Sequence, residues 1–214
     1  MSRENKKEAV AALHREQIMK AAEKLFLEKG FSQTTIDDIS KSSEYSRRTI
    51  YAYYESKNDI LHHIIEKGLQ TLKTDIEKAV NRNDDFIRGY KAICIAMSKY
   101  QRECPFSADN INHANAANFD LKNLSDAEKH ILRLGAEINT ILATFIATGK
   151  EQGIVRQDII PMLTVFILWS SITSFLSLAK TKGSFISKQF SVSESEFLEY
   201  GFKQLLNSIL AVQI

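Results

Sequence analysis

Residues 159–179, IIPMLTVFILWSSITSFLSLA, contain no charged side chain over 21 positions. As a helix they would be about 30 Å long, enough to cross a bilayer. Six of the 21 are Ser or Thr, and Pro161 stands near the start, which weakens the membrane signal. A helix that is apolar nearly all round is either embedded in lipid or covered by protein on most sides. The expectation is burial, and burial demands a second surface to cover the run.

The rest of the chain says what kind of surface that is. Only two prolines and eight glycines interrupt 214 residues. So few breakers, among many Leu, Ile, Ala, Lys and Glu, point to an all-α fold. The net charge of +2 is no global polycation, so any nucleic-acid contact must come from a local patch. Cys94 and Cys104 are the two cysteines. On one helix they would sit about 15 Å apart, too far for a disulfide, which suits a reduced, cytoplasmic protein. The opening MSRENKKEAVAALHRE has no apolar core of a secretory signal.

Helical spacing recurs along the chain. Ile18, Ala21, Ala22, Leu25 and Phe26 form one stripe, stopped by Lys29-Gly30. Thr34 or Thr35, each three residues before an Asp, opens a short second helix through Ile36 and Ile39. Ser46 opens a third, with Ile50 and Tyr54 turned inward and Tyr45 packing just before it. Ser56 opens a fourth that keeps its spacing to about Val80. Longer helices are expected at 84–103, 125–149, 158–180 and 193–212, with a Gly-Ser loop at 183–184. Residues 104–120, rich in Asn, are poorly periodic and read as a loop or a gate. These elements suggest a first domain over 1–57 and a larger helical body over 58–214, with the fourth helix shared.

The segment SEYSRRTIYAYYESK, 43–57, crowds two arginines, four tyrosines and a lysine among its serines. Two short helices joined by a tight turn make a helix-turn-helix. Arg47, Arg48 and Tyr51 fall within about 100° of one another on the second helix, while Ile50 points to the core. Arg can pair bidentately with guanine in the major groove. Thr49 can meet a thymine methyl or a phosphate, and the tyrosine hydroxyls and Lys57 can reach phosphate oxygens. Arg3, Lys6, Lys7 and Arg15 could form an arm entering an adjacent minor groove. Nothing in the chain resembles a catalytic set or a phosphate loop. His62 and His63 point about 100° apart, so they do not converge on a metal. The expectation is a protein with no catalytic residues, no metal and no cofactor.

IMKAAEKLFLEKGFSQTTIDDIS followed by YSRRTIYAYYESKNDIL resembles the DNA-binding domain of the tetracycline-repressor (TetR) family over residues 14–64. The resemblance implies a helix-turn-helix repressor with DNA contacts at Thr35, Arg47, Arg48, Thr49, Tyr51, Tyr53 and Lys57. Glu44 departs from it, standing where the family usually has Gly in the turn, and Ala52 stands where a bulky residue is common. The resemblance also implies a homodimer through the last two long helices, which would cover the charge-free run. It implies a pseudo-palindromic double-stranded operator and a small-molecule effector held in the body. By their chemistry Cys94, Met97, Tyr100, Phe145, Phe166 and Trp169 are pocket candidates. Two readings stay beside this one: a membrane-associated regulator anchored by 159–179, and a helical adaptor that no longer binds DNA.

Overall fold

The computed structural model describes residues 3–116 and 124–213. The described residues form nine helices: α1 (Arg3–Lys29), α2 (Ile36–Ser43), α3 (Arg47–Tyr51), α4 (Lys57–Asn81), α5 (Phe86–Glu103), α6 (Pro105–Ala116), α7 (Asp126–Glu151), α8 (Pro161–Phe190) and α9 (Glu194–Asn207). The all-α expectation holds. The chain divides into two compact units, one of residues up to Gly68 with Pro105–Leu132, the other of Leu69–Cys104 with Arg133–Ile214.

The first unit is built on the stripe read from α1. Ile18, Ala22 and Phe26 meet Ile39 of α2, Ile50 of α3, Tyr54, and Ile60 and Ile64 of α4 in one buried cluster. Gly30, at φ 85°, ends α1 with its N–H on the Phe26 carbonyl at 3.0 Å, and Phe31 turns back to lie 5.1 Å from Phe26 between ring centroids. Helix α1 already begins at Arg3, so Arg3, Lys6, Lys7 and Arg15 are helical residues. The stretch 104–120 is not all loop: Pro105–Ala116 is helix α6, and residues 117–120 lie outside the described ones. Phe106 of α6 joins the cluster, 5.2 Å from the Phe26 ring, and Ser107 donates to the Ile65 carbonyl at 3.1 Å.

In the second unit, α5 buries Phe86, Tyr90, Ile93, Cys94, Met97 and Tyr100 along one side. Phe86 stacks on Phe145 of α7 at 4.5 Å. Helix α8 buries Thr164, Val165, Leu168, Ile172, Leu176, Ala179 and Gly183. Those positions follow a 3–4 spacing, so a single stripe of α8 is covered and the opposite face is not. The Gly-Ser loop expected at 183–184 is helix instead, and α8 runs on to Phe190. Gly183 is buried there beside the Glu194 side chain, the nearest atom to any added Cβ. The last helix is shorter than its apolar spacing suggests. It stops at Asn207, because the following residues pair with the α7–α8 connection: Val155 bridges Leu210, Arg156 N–H donates to Ile209 O at 3.0 Å and Ala211 N–H to Ile154 O at 2.9 Å.

Candidate nucleic-acid interface

Each end of the α2–turn–α3 segment is fixed by short-range hydrogen bonding. Thr35 caps α2: its hydroxyl accepts from Asp38 N–H at 3.2 Å, while its own N–H and hydroxyl donate to the Asp38 carboxylate at 2.8 and 2.6 Å. Lys29 adds an ion pair to the same carboxylate at 2.7 Å. The Lys29 ammonium first, then the Thr35 donors, hold the Asp38 carboxyl well below the usual carboxylate range. The buried neighbour Thr34 instead ties back to α1, donating to Gly30 O at 2.9 Å. Glu44 closes α2 in the left-handed region, φ 61° and ψ 15°, so the turn keeps the conformation that favours glycine while carrying a side chain.

Ser46 caps α3 and accepts from Thr49 N–H at 3.1 Å. With Ile50 fully buried, the helix can present only its other side. Arg47, Arg48, Tyr51 and Ala52 are exposed and Thr49 is half-buried, with 55% of Tyr51 accessible. The structure thus brings Arg47, Arg48, Thr49 and Tyr51 together on one short surface. The Arg47 guanidinium forms a two-pronged ion pair with Asp37 of α2, its Nε facing Oδ1 and its Nη2 facing Oδ2. The charge pattern of the sequence does not reveal this pair, because the partners come from different helices.

Two further expected contacts sit differently. Tyr53 is half-buried, its hydroxyl sharing a 3.0 Å hydrogen bond with His14 Nδ1 and its ring 5.4 Å from the Arg15 guanidinium. Lys57 lays its ammonium over the Phe31 ring, 4.3 Å from the centroid, and donates to the carbonyls of Phe31 and Thr34, both at 2.7 Å. It therefore pins the α1–α2 loop to the start of α4. Tyr54 is buried as expected, its hydroxyl donating to Arg15 O at 3.0 Å, and burial pushes its pKa up to about 12. Tyr45 bonds Gln17. The adjacent histidines take separate partners: His62 Nε2 lies 3.9 Å from Glu128, and His63 lies 3.5 Å from Asp59 and 3.3 Å from Glu66.

In the second unit, three of the six pocket candidates converge. Met97, Phe145 and Trp169 line an apolar cavity together with Phe86, Tyr90 and Val165. Its free volume of about 30 Å³ has room for about one or two water molecules. Cys94 faces elsewhere, onto an open cleft of about 490 Å³ between α5 and α9 with Leu198 and Phe202. Burial pushes its thiol up to about 12, so it is a neutral wall and not a nucleophile. Tyr100 is buried outside the lining of both, and Phe166 lies on the uncovered face of α8, 54% exposed.

Residues 18–64 match the profile of the family described as bacterial regulatory proteins, tetR family. Over 66 residues the chain is 38% identical to the HTH-type transcriptional regulator HbdR of Aromatoleum sp. (strain CIB), covering 31% of this chain and 29% of that one. Over 60 residues it is 42% identical to the HTH-type transcriptional repressor BepR of Brucella suis, covering 28% and 29%. These matches span less than a third of the curated relatives' length. The fold extends further: the TetR family transcriptional regulator PfmR of Thermus thermophilus superposes with a TM-score of 0.70 at 21% identity, over 88% of this chain and 96% of that one. The capped α2–turn–α3 segment lies inside the matched stretch. Over residues 18–64, the stretch that holds this segment, the chain is similar to the tetR family of bacterial regulatory proteins.

Proposed function

We propose that this chain is a tetR-family regulator, a cytoplasmic repressor released from a pseudo-palindromic DNA operator by a small molecule. The observation that carries the reading is the exposed Arg47, Arg48, Thr49 and Tyr51 surface over the buried Ile50. A helix anchored from behind can enter a major groove with donors for bases and phosphates already in place. Tyr53 and Lys57 act on DNA chiefly by holding this surface, since the hydroxyl of one and the ammonium of the other are engaged within the protein. Selection of bound sequences from a random DNA pool tests the reading. A consensus of two related half-sites is expected; no enrichment above the pool, or Arg47→Ala plus Arg48→Ala binding as well as the parent chain, overturns it and favours the adaptor.

The homodimer forms through α8 and α9. Its support is the uncovered side of α8, where Leu163, Phe166, Ile167 and Phe185 are exposed, beside Tyr200 of α9. A partner copy would cover this face and set two recognition helices about one DNA turn apart. By length and composition α7 and α8 could each cross a membrane, so fractionation is the deciding observation. The dimer reading expects the chain in the supernatant without detergent.

The effector enters the body at the Met97, Phe145 and Trp169 cavity, which must widen to admit more than a group the size of one or two waters. Coupling of about 1–3 kcal/mol would change operator affinity by about 5–150-fold. Electrophoretic shift with and without candidate small molecules reads that coupling directly.

A further inference from the structure

We propose that Asp37 is a positioning residue that makes Arg47 a guanine reader and keeps it off the phosphate backbone; the inference rests on the operator-binding reading above. Arginine has five N–H donors in a planar fork. Asp37 takes the Nε edge, occupying Nε and one Nη2 donor. Two Nη1 donors and one Nη2 donor remain, and one of each forms the terminal edge of the fork. Guanine offers O6 and N7 side by side in the major groove, and a fork edge pairs with both. A phosphate competes for the same edge, but there it would lie close to the Asp37 carboxylate that already holds the guanidinium, and like charges cost affinity. Asp37 therefore does two things with one contact: it fixes the plane of the guanidinium, and it lowers sequence-independent attraction to the duplex. Arg48, exposed and without a carboxylate partner among the described residues, is left to supply the backbone contact.

Both partners of the Asp37–Arg47 pair are substantially solvent-exposed, so the pair adds little to folding stability and can be removed without unfolding the domain. The test compares the parent chain, Asp37→Asn, Arg47→Lys and Arg47→Ala in sequence selection and in salt titrations of binding. The parent is expected to select a guanine at one position of each half-site. Asp37→Asn should lose that preference by about tenfold or more. It should also bind random duplex more tightly, with a log–log salt dependence steeper by about 0.9 per subunit as Arg47 turns to a phosphate. Arg47→Lys leaves α2 untouched and keeps the charge; without the fork it should lose the same guanine preference.

Three results overturn the proposal: Asp37→Asn keeping the guanine preference, Asp37→Asn losing affinity equally on all sequences with an unchanged salt slope, or Arg47→Lys reading guanine as the parent does. A parent chain that selects a consensus insensitive to position 47 overturns this inference alone. A parent that selects nothing overturns the operator reading as well.

Discussion

Glu44 is a residue whose cost can be measured. Its φ of 61° is a conformation that a side chain adopts at about 1 kcal/mol. Glu44→Gly is expected to raise stability by about 0.5–1 kcal/mol, seen as a higher denaturant midpoint at unchanged slope, with operator affinity unchanged or improved by loss of the anion. Lys57 makes a contrasting case. If its ammonium serves the Phe31 and Thr34 carbonyls, Lys57→Met should cost about 1–3 kcal/mol of stability. A pure phosphate contact would instead lower affinity and its salt slope at constant stability. The sequence shows that Lys57 is a donor next to a helix start. It does not show which acceptors lie above it, because those belong to a loop more than twenty positions earlier. The same limit hid Asp37, whose partner is ten residues on and in another helix. Ile50, Tyr54 and the exposed arginines were readable because a helix fixes which neighbours share a side.

Caps and close approaches decide the elements. Three boxes, Thr35 with Asp38, Ser125 with Glu128 and Ser193 with Glu196, each hold a carboxylate below its ordinary pKa. For Asp38 the Lys29 ion pair leads; for the other two the serine hydroxyl does. A folded pKa below the unfolded one gives stability that is present above about pH 4 and lost as pH falls through the folded value. Asp38→Asn should therefore lower stability at neutral pH and flatten the acid limb of a stability–pH curve from chemical denaturation. Gly201 of α9 faces the Phe175 ring of α8, and an added Cβ would come within 2.1 Å of it. Gly201→Ala should destabilise by about 1–3 kcal/mol, read by thermal melting. Helix starts were visible in the sequence because Thr35, Ser46 and Ser56 act on their own neighbours. The run of α8 through Gly183 and the early stop of α9 were not: one depends on what packs beside a glycine, the other on a pairing partner far along the chain. Helix α6 escaped for a related reason, since Phe106, the large apolar side chain buried among its described ones, makes no stripe by itself.

At the scale of the whole molecule, the open side of α8 is the feature that any assembly must answer. Ile167, 64% exposed, is not needed for the chain's own core. Ile167→Glu is expected to leave helix content and unfolding of the single chain intact while halving the mass found by sedimentation equilibrium and weakening operator binding. Loss of helix content with no change of mass would argue against a dimer through this face. The Val155–Leu210 bridge carries a different consequence, one of time. Its two sides are separated by all of α8 and α9, so the pairing can close only after both helices have come together. Contacts of that separation carry a loop-closure cost and are expected to form after the local ones. Weakening the bridge should therefore leave the refolding rate nearly untouched and quicken the opposite step, which makes this small clasp a governor of how long each molecule lasts before it opens.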